Sequence, residues 1–175
     1  LAMMLSGAYM TREAGSKPLP DFNRDNLQRT FHVERSNVDE DDRRVELSFS
    51  SEIEVERWFG LEVLDHSPGA MNAERLNDGG ALLVNHDWDD QIGVIESVRI
   101  DADRKGRAVV RFSKSARGEE IFQDVKDGIR KLVSVGYRVH EAKLDGMRDD
   151  TDVYKITNWE PYEISIVSVP ADASV

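Results

Sequence analysis

Residues 132–137 read Leu132-Val133-Ser134-Val135-Gly136-Tyr137. Apolar residues alternate here with Ser134 and Gly136, and a period of two indicates a β-strand with two chemically different faces. Ser134 lies on the face opposite the valines, and Gly136 is on the same face two residues further on. Because glycine has no side chain, we expect that an extended peptide can approach the serine hydroxyl closely. The pattern therefore predicts a substrate cleft beside Ser134.

Two further strand-like segments carry the partners that a serine nucleophile needs. His86 follows the apolar run 82–84, and Glu163 begins the largely apolar run 164–169. A nucleophile, a base and a group that orients the base are the three members of a serine protease triad. The combination of Ser134, His86 and Glu163 predicts a serine protease.

Each of these residues also has an ordinary structural interpretation. A serine within a strand is usually a packing or hydrogen-bonding residue, and a histidine at a strand end is more often structural than catalytic. Glu163 heads toward an apolar run, where a buried carboxylate needs a partner, and a structural ion pair would supply one. The residues alone leave both interpretations open.

The other three histidines are rivals for the role of the base, and they are His32, His66 and His140. His140 is six residues from Ser134 on the same predicted strand. At about 3.4 Å per residue the two lie roughly 20 Å apart, which excludes His140. His66 lies in a predicted loop and His32 in the N-terminal segment, and sequence distance excludes neither.

Composition limits the function further. The chain of 175 residues is the size of one domain, contains no cysteine and has a formal net charge of −11. It therefore has no thiol nucleophile and no cysteine ligand for zinc, which suits a reducing compartment. An acidic protein has the wrong charge for gripping nucleic acid through its phosphates. We also expect no membrane contact, because the apolar runs are short and the first residues do not resemble a signal peptide.

The pattern of residue types changes near residue 44. Residues 1–43 mix small, polar and charged types and predict a partly mobile N-terminal arm, followed by one folded domain over residues 44–175. An amphipathic helix is predicted between residues 116 and 132, with its end near Gly128. Alternating apolar residues predict strands near 45–49, 92–100, 107–112, 132–139, 153–159 and 162–169.

Five segments together resemble, in order and spacing, the capsid maturation (prohead) protease family of tailed bacteriophages. They are Leu83-Val84-Asn85-His86-Asp87, Gly93-Val94-Ile95, Val125-Lys126-Asp127-Gly128, Leu132 to Tyr137 and Tyr162 to Ala171. Each segment is short, but five in the right order are hard to obtain by chance. The resemblance extends from about residue 44 to the end of the chain.

Those proteases are in turn similar to the herpesvirus assemblin proteases. The resemblance implies a mainly β fold with peripheral helices, in which residues 44–175 form a closed antiparallel β-barrel protease domain of the assemblin type. It implies Ser134 as the nucleophile and His86 as the general base and acid. Glu163 stands where assemblins have a third triad histidine, and a carboxylate suits that role because it stabilises the protonated imidazole.

One feature of the assemblins is missing. Assemblin-like proteases carry an arginine just beyond the third triad residue, and that arginine helps to bind the oxyanion. Residues 170–175 contain none. The oxyanion hole is therefore not assigned to particular residues.

The resemblance also implies a biological role. It implies a serine endopeptidase that cleaves the major capsid protein precursor or a scaffold protein, and itself, inside the immature capsid in the host cytoplasm. Acyl-enzyme chemistry of this kind requires no metal or organic cofactor. Because the chain stops soon after its last predicted strand, we expect self-trimming of a longer product. Assemblins dimerise through a helix, so a homo-oligomer is a further expectation, although core packing explains the apolar face of helix 116–132 equally well.

Two other interpretations stay open. A non-catalytic capsid assembly or scaffolding protein could have the same fold, with Ser134 and Glu163 as ordinary strand residues. A divalent-metal site is suggested by residues 86–90, which read His-Asp-Trp-Asp-Asp. Their spacing does not match a calcium loop of the EF-hand type, which makes this the weaker alternative.

Overall fold

The computed structural model of the chain describes residues 17–33 and 38–170. Its elements, in chain order, are β1 (Leu27–His32), β2 (Val38–Asp39), β3 (Arg44–Ser50), β4 (Val55–Arg57), β5 (Gly60–Leu64), α1 (Glu74–Asn77), β6 (Ala81–Val84), β7 (Asp87–Ile100), β8 (Gly106–Phe112), α2 (Ala116–Lys126), β9 (Leu132–Arg148) and β10 (Thr151–Val167). Strands predominate, so the mainly β part of the fold prediction is confirmed.

The strands of the described residues form one sheet around a long hairpin. Its main order is β1-β9-β10-β6-β7-β8-β3-β2, and β5 pairs both with β4 and with β10. β9 and β10 have 17 residues each. Asp149 and Asp150 connect them in a tight turn with positive φ angles of 47° and 62°, as a two-residue hairpin connection requires. This hairpin is the part of the sheet to which β1, β5 and β6 attach.

The closed antiparallel β-barrel is wrong for this chain. The sheet is an open half-barrel, because β1 and β2 lie at opposite ends of the strand order and are not bonded to each other within the described residues. Closure requires the terminal strands to pair, and β2 has only two residues, both paired with β3. The sheet is also mixed, since β10 pairs in parallel with β5 and β6.

The concave side of the sheet encloses one apolar core. Val45, Leu47 and Phe49 of β3 are fully buried there, as their alternation predicted. The rings of Phe112 on β8 and Phe122 on α2 lie 5.1 Å apart between their centres. Burial of these side chains fixes which face of each strand points inward.

Helix α2 has identifiable reasons for its two ends. The Ser115 hydroxyl accepts a hydrogen bond from the Gly118 N–H and caps the first turn. Gly128, with a φ of +70°, follows the last turn, which is the usual place for a glycine. The predicted end near Gly128 is confirmed, and residues 127–132 lie outside the helix. Neither helix of the described residues is long and apolar enough to cross a membrane.

β10 joins two segments that the sequence predicts as separate strands. Pro161 lies between them, and the register with β9 shifts between Pro161 and Glu163. Proline has no N–H to donate to a neighbouring strand, so it is tolerated in a sheet at such irregularities. The irregularity lets one strand continue past the proline and places Glu163 opposite Gly136.

The predicted N-terminal arm includes a strand. Residues 27–32 form β1, which pairs antiparallel with β9. Arg29 of β1 is buried and forms an ion pair of 3.0 Å with Glu62 of β5. A charged residue at an inward-facing position hides the alternation that would reveal the strand. Residues 1–16 and 34–37 of the arm lie outside the described residues, so its expected mobility stays a prediction there, as does the division at residue 44.

A buried serine–histidine pair lies away from Ser134. The Ser50 hydroxyl is 2.8 Å from Nε2 of His66, and Nδ1 of His66 is 2.8 Å from the carbonyl oxygen of Leu64. The carbonyl can only accept, so Nδ1 carries the proton and Nε2 accepts from Ser50. Burial lowers the pKa of His66 and favours this neutral ring.

We predict that His66 makes stability depend on pH. Because its pKa is lower in the folded protein, the unfolded chain binds the proton more readily below about pH 6.5. The contribution to the free energy of unfolding is therefore fully present above that pH, and it is lost as the pH falls toward the folded-state pKa.

Urea denaturation at about pH 7.5 and about pH 5.5 measures this loss. In His66→Gln, whose side chain cannot be protonated, the difference between the two free energies of unfolding should be smaller than in the wild type. An equal difference in both proteins would show that His66 is not responsible.

Candidate active site

His86 lies in the two-residue turn between β6 and β7. Asn85 and His86 have positive φ angles of 50° and 57°, the arrangement of a type I′ turn. The second position of this turn favours glycine, so a histidine there is under backbone strain. Strained residues of this kind persist only where surrounding contacts hold them, and they concentrate at functional sites.

Hydrogen bonds to β10 and to the residue directly after it hold this turn in place. The Asn85 N–H donates to the Ile166 carbonyl at 3.0 Å, and the Asn85 side-chain oxygen accepts from the Ser168 N–H at 3.0 Å. The His86 N–H donates to the Ser165 hydroxyl at 3.0 Å. The turn is therefore fixed relative to the strand that carries Glu163.

Ser134 and Glu163 lie on one face of the β9–β10 hairpin. Ser134 is directly opposite Ser165, and Gly136 is directly opposite Glu163. Residues opposite each other in an antiparallel pair point to the same side of the sheet. β6 runs beside β10 with Val84 paired to Ile166, so the turn that follows Val84 reaches this face.

The His86 ring connects the serine to the carboxylate. Its Nε2 is 2.9 Å from Oγ of Ser134, and its Nδ1 is hydrogen-bonded to Oε1 of Glu163. The carboxylate accepts the Nδ1 proton, which leaves Nε2 free to accept the serine hydroxyl proton. The structure thus brings together the three residues that the sequence singled out.

All three side chains are sheltered from solvent. The exposed fraction is 0% for Ser134 and 3% for Glu163, and it is 17% for the His86 side chain. Oε1 of Glu163 bonds to the His86 ring, and Oε2 accepts from the Ser165 hydroxyl at 2.7 Å. A buried carboxylate requires such donors. The partner that Glu163 needs for burial is thus His86 itself.

Gly136 makes room for this carboxylate. A Cβ at Gly136 would lie 2.5 Å from Oε1 of Glu163 and 2.9 Å from Cζ of Tyr162. The space above the glycine is therefore filled by these two side chains, and the substrate cleft predicted beside Ser134 stays a prediction. The absence of a side chain at Gly136 leaves room for the Glu163 carboxylate.

A cavity of about 420 Å³ adjoins His86 and Glu163. Its lining includes Trp88, Arg138 and Tyr162, and the segment 23–28 contributes further polar side chains. Arg138 lies over the Tyr162 ring at 5.6 Å, and the Trp88 and Tyr162 rings meet edge to face at 6.4 Å. Burial raises the pKa of Tyr162, and the nearby Glu163 carboxylate raises it further.

None of the other three histidines, all within the described residues, forms a hydrogen bond with Ser134. His66 bonds to Ser50, and Nε2 of His140 lies 3.8 Å from a carboxylate oxygen of Glu160. His32 ends β1 and is opposite Leu132 in register. His86 is the histidine that the structure places on the Ser134 hydroxyl.

The acidic segment after His86 has other contacts. Asp90 pairs with Arg117 at 2.7 Å, and the side chain of Asp87 accepts from the Asp89 N–H. Across residues 17–33 and 38–170, no three histidine, aspartate or glutamate side chains are grouped so that they could hold a metal ion. Residues 170–175 are the segment where an assemblin-like oxyanion arginine was expected and is absent. Only residue 170 of this segment is described.

Sequence reasoning missed two parts of the site. Ser165 is two residues from Glu163, and strand alternation would have placed both on one face. The cavity residues from 23–28 were missed because that segment has no clear periodicity. Their position depends on the pairing of β1 with β9.

A family model described as Caudovirus prohead serine protease matches residues 62–175. The chain belongs to the caudovirus prohead serine protease family. Ser134, His86 and Glu163 all lie in the matched range. The resemblance to the prohead protease family is confirmed.

Two curated relatives agree with this family. Over 132 residues the chain is 51% identical to the major capsid protein of Halomonas phage phiHAP-1, a match that covers 74% of this chain and 22% of that protein. Over 91 residues it is 30% identical to the prohead protease of Escherichia phage T5, covering 52% of this chain and 41% of that protein. The chain thus spans less than half of either relative.

A solved structure shares the fold. The capsid assembly protease of bacteriophage T4 superposes with a TM-score of 0.52 at 10% sequence identity. The match covers 82% of this chain and 97% of that chain. This chain and the T4 protease therefore share a fold although few of their residues are identical.

We predict that Gly136→Ala lowers the free energy of unfolding by about 1–3 kcal/mol, because the new methyl group overlaps Glu163 and Tyr162. Alanine at an unobstructed strand position would instead stabilise by about 0.5–1 kcal/mol. The loss should be smaller in a Glu163→Ala background. Urea denaturation of the wild type, both single variants and the double variant measures this coupling. Additive effects would show that the carboxylate is not the obstruction.

Proposed function

We propose that this member of the prohead protease family is a serine endopeptidase. Ser134 is the nucleophile, His86 the general base and acid, and Glu163 the group that orients His86. The observation that supports this most directly is the 2.9 Å contact from Ser134 Oγ to a His86 ring whose other nitrogen is bonded to Glu163. This is the geometry of a serine protease triad.

The Ser50–His66 pair is a useful comparison for the proposed role of Glu163. Both pairs have a serine hydroxyl within hydrogen-bond distance of Nε2. His66 bonds through Nδ1 to a neutral carbonyl, and both Ser50 and His66 are buried. His86 instead bonds to a carboxylate and lines a cavity. In this proposal the carboxylate on Nδ1 stabilises the positive charge that the His86 ring takes up during attack, whereas the carbonyl on Nδ1 of His66 is neutral.

The chemistry follows from these positions. Nε2 of His86 takes the proton as the Ser134 oxygen attacks the carbonyl carbon of the scissile peptide bond. Glu163 then stabilises the positively charged ring, and its effect is strong because the pair is sheltered from water. His86 passes the proton to the leaving amine, and water enters to release the acyl-enzyme by the same steps in reverse.

The proposed substrates are phage capsid precursors. The matches to a prohead protease and to a major capsid protein support this class. We include the major capsid protein precursor, a scaffold protein and the chain itself as substrates, cleaved inside the immature capsid in the host cytoplasm. A homo-oligomer belongs to the same proposal.

We place the peptide next to the scissile bond in the cavity beside His86. Trp88 lines this cavity and is 72% exposed. A rigid aromatic ring offers contact area to a bound peptide with little loss of conformational freedom. Arg138 has no carboxylate partner within ion-pair distance among the described residues. The cavity thus offers both apolar and polar contacts to a bound segment.

We predict that Ser134→Ala reduces cleavage of the capsid precursor by about 10³-fold or more, and Glu163→Gln by about 10²- to 10⁴-fold. The first change removes the nucleophile, and the second removes the anionic partner of His86. The full-length gene product, wild type or variant, is co-expressed with its capsid precursor. Intact-mass analysis of the precursor fragments then measures both effects.

Ser50→Ala is the matched control for these variants, because it also removes a buried serine hydroxyl from a histidine. It should cleave as the wild type does. Equal cleavage by Ser134→Ala and the wild type would remove Ser134 as the nucleophile. A lack of cleavage in every protein would favour the non-catalytic assembly role.

We predict that Trp88→Ala raises KM for the precursor about tenfold and leaves kcat nearly unchanged. In this proposal Trp88 contacts the bound peptide, but it takes no part in the hydrogen bonds among Ser134, His86 and Glu163. Steady-state kinetics on the precursor separate the two constants. A fall in kcat with an unchanged KM would place the peptide elsewhere.

A further inference from the structure

Ser165 connects the backbone of His86 to the carboxylate that orients the His86 ring. Its hydroxyl accepts from the His86 N–H at 3.0 Å and donates to Oε2 of Glu163 at 2.7 Å. The other oxygen of Glu163 accepts from Nδ1 of the same histidine. The hydrogen bonds therefore form a closed loop that starts at the backbone of His86 and returns to its ring.

The position of Ser165 makes this loop rigid. Ser165 is fully buried and lies directly opposite Ser134 in the β9–β10 register. Its hydroxyl uses its one proton on Glu163 and a lone pair on His86. Loss of the hydroxyl would leave two buried groups without that partner, the His86 N–H and Oε2 of Glu163, and each such loss is unfavourable.

Backbone strain at His86 increases the importance of the Ser165 contact. His86 has a φ of +57° in a turn position that favours glycine. A strained residue moves toward an easier conformation when its contacts are removed. The His86 N–H bond to Ser165 acts directly on the strained residue, whereas the other two bonds of the turn act on Asn85.

We propose that Ser165 is a positioning residue of the active site. It holds the His86 turn and the Glu163 carboxylate in a fixed relation, so that Nε2 stays within reach of the Ser134 hydroxyl. The proposal rests on the proposed protease function. Ser165 acts through His86 and Glu163 and does not itself contact substrate.

The main test compares kinetics of the wild type and Ser165→Ala on the capsid precursor. We expect kcat to fall about 10- to 100-fold with KM within about twofold, because catalytic groups are misplaced while the peptide contacts remain. A wild-type kcat would overturn the proposal.

Ser165→Thr and Ser50→Ala separate positioning from stability. Threonine keeps the hydroxyl but adds a methyl group at a fully buried site, so it should lower the thermal midpoint and keep most of kcat. Ser50→Ala should lower the midpoint and keep kcat, since it loses a similar bond elsewhere. If kcat in these variants simply followed the thermal midpoint, Ser165 would have only a structural role and the proposal would fail.

A measurement without substrate distinguishes failure of this inference from failure of the proposed function. In proton NMR spectra, the Nδ1 proton of His86 should exchange with water faster in Ser165→Ala than in the wild type. An unchanged exchange rate would overturn the positioning role even if the protein had no protease activity. If Ser165→Ala does not fold, Ser165→Cys replaces it with the same expected directions, because a thiol is a much weaker donor.

Discussion

The antiparallel register between β9 and β10 is the constraint on which the site depends. It places Ser134 opposite Ser165 and Gly136 opposite Glu163, so that the proposed nucleophile, the carboxylate and the space for the carboxylate occur on one face. Since side chains alternate with a period of two, a slip of one residue would turn Glu163 toward the apolar core. Burial of the neighbouring valines and isoleucines on the opposite face opposes that slip. Core packing and active-site geometry are thus two consequences of one pairing.

The proposed base, His86, comes from a different part of the sheet. β6 lies parallel to β10 and ends beside Ile166, and the turn of Asn85 and His86 then carries the ring back over Glu163. The chain accepts positive φ at a histidine there, and hydrogen bonds to β10 stabilise the turn. The contact between Ser50 and His66 differs, because Nδ1 of His66 bonds to a backbone carbonyl and not to a carboxylate. A carboxylate partner and an adjoining cavity distinguish His86.

The open sheet changes how the family resemblance is understood. Membership of the prohead protease family and the shared fold with the T4 capsid assembly protease do not require a closed barrel. The residues of the candidate site lie on β9 and β10 and on the turn after β6, at the other end of the strand order from the terminal strand β2. Closure at the far edge is therefore not needed to hold Ser134, His86 and Glu163. β1 pairs with β9, on the side of the β9–β10 hairpin away from β6. This pairing brings residues 23–28 to the cavity.

Local patterns in the sequence were sufficient for several features. Alternation predicted that Ser134 faces away from the valines, helical periodicity located α2, and Gly128 indicated where that helix ends. Five short segments indicated the family and, through it, the candidates His86 and Glu163. These features depend on neighbours along the chain, which a sequence displays directly. Strand order, the parallel pairing of β6 with β10, the filling of the space at Gly136 and the hydrogen bonds of Ser165 were decided only by the tertiary structure. They depend on contacts between distant strands, and periodicity within one strand does not specify which strand lies beside it.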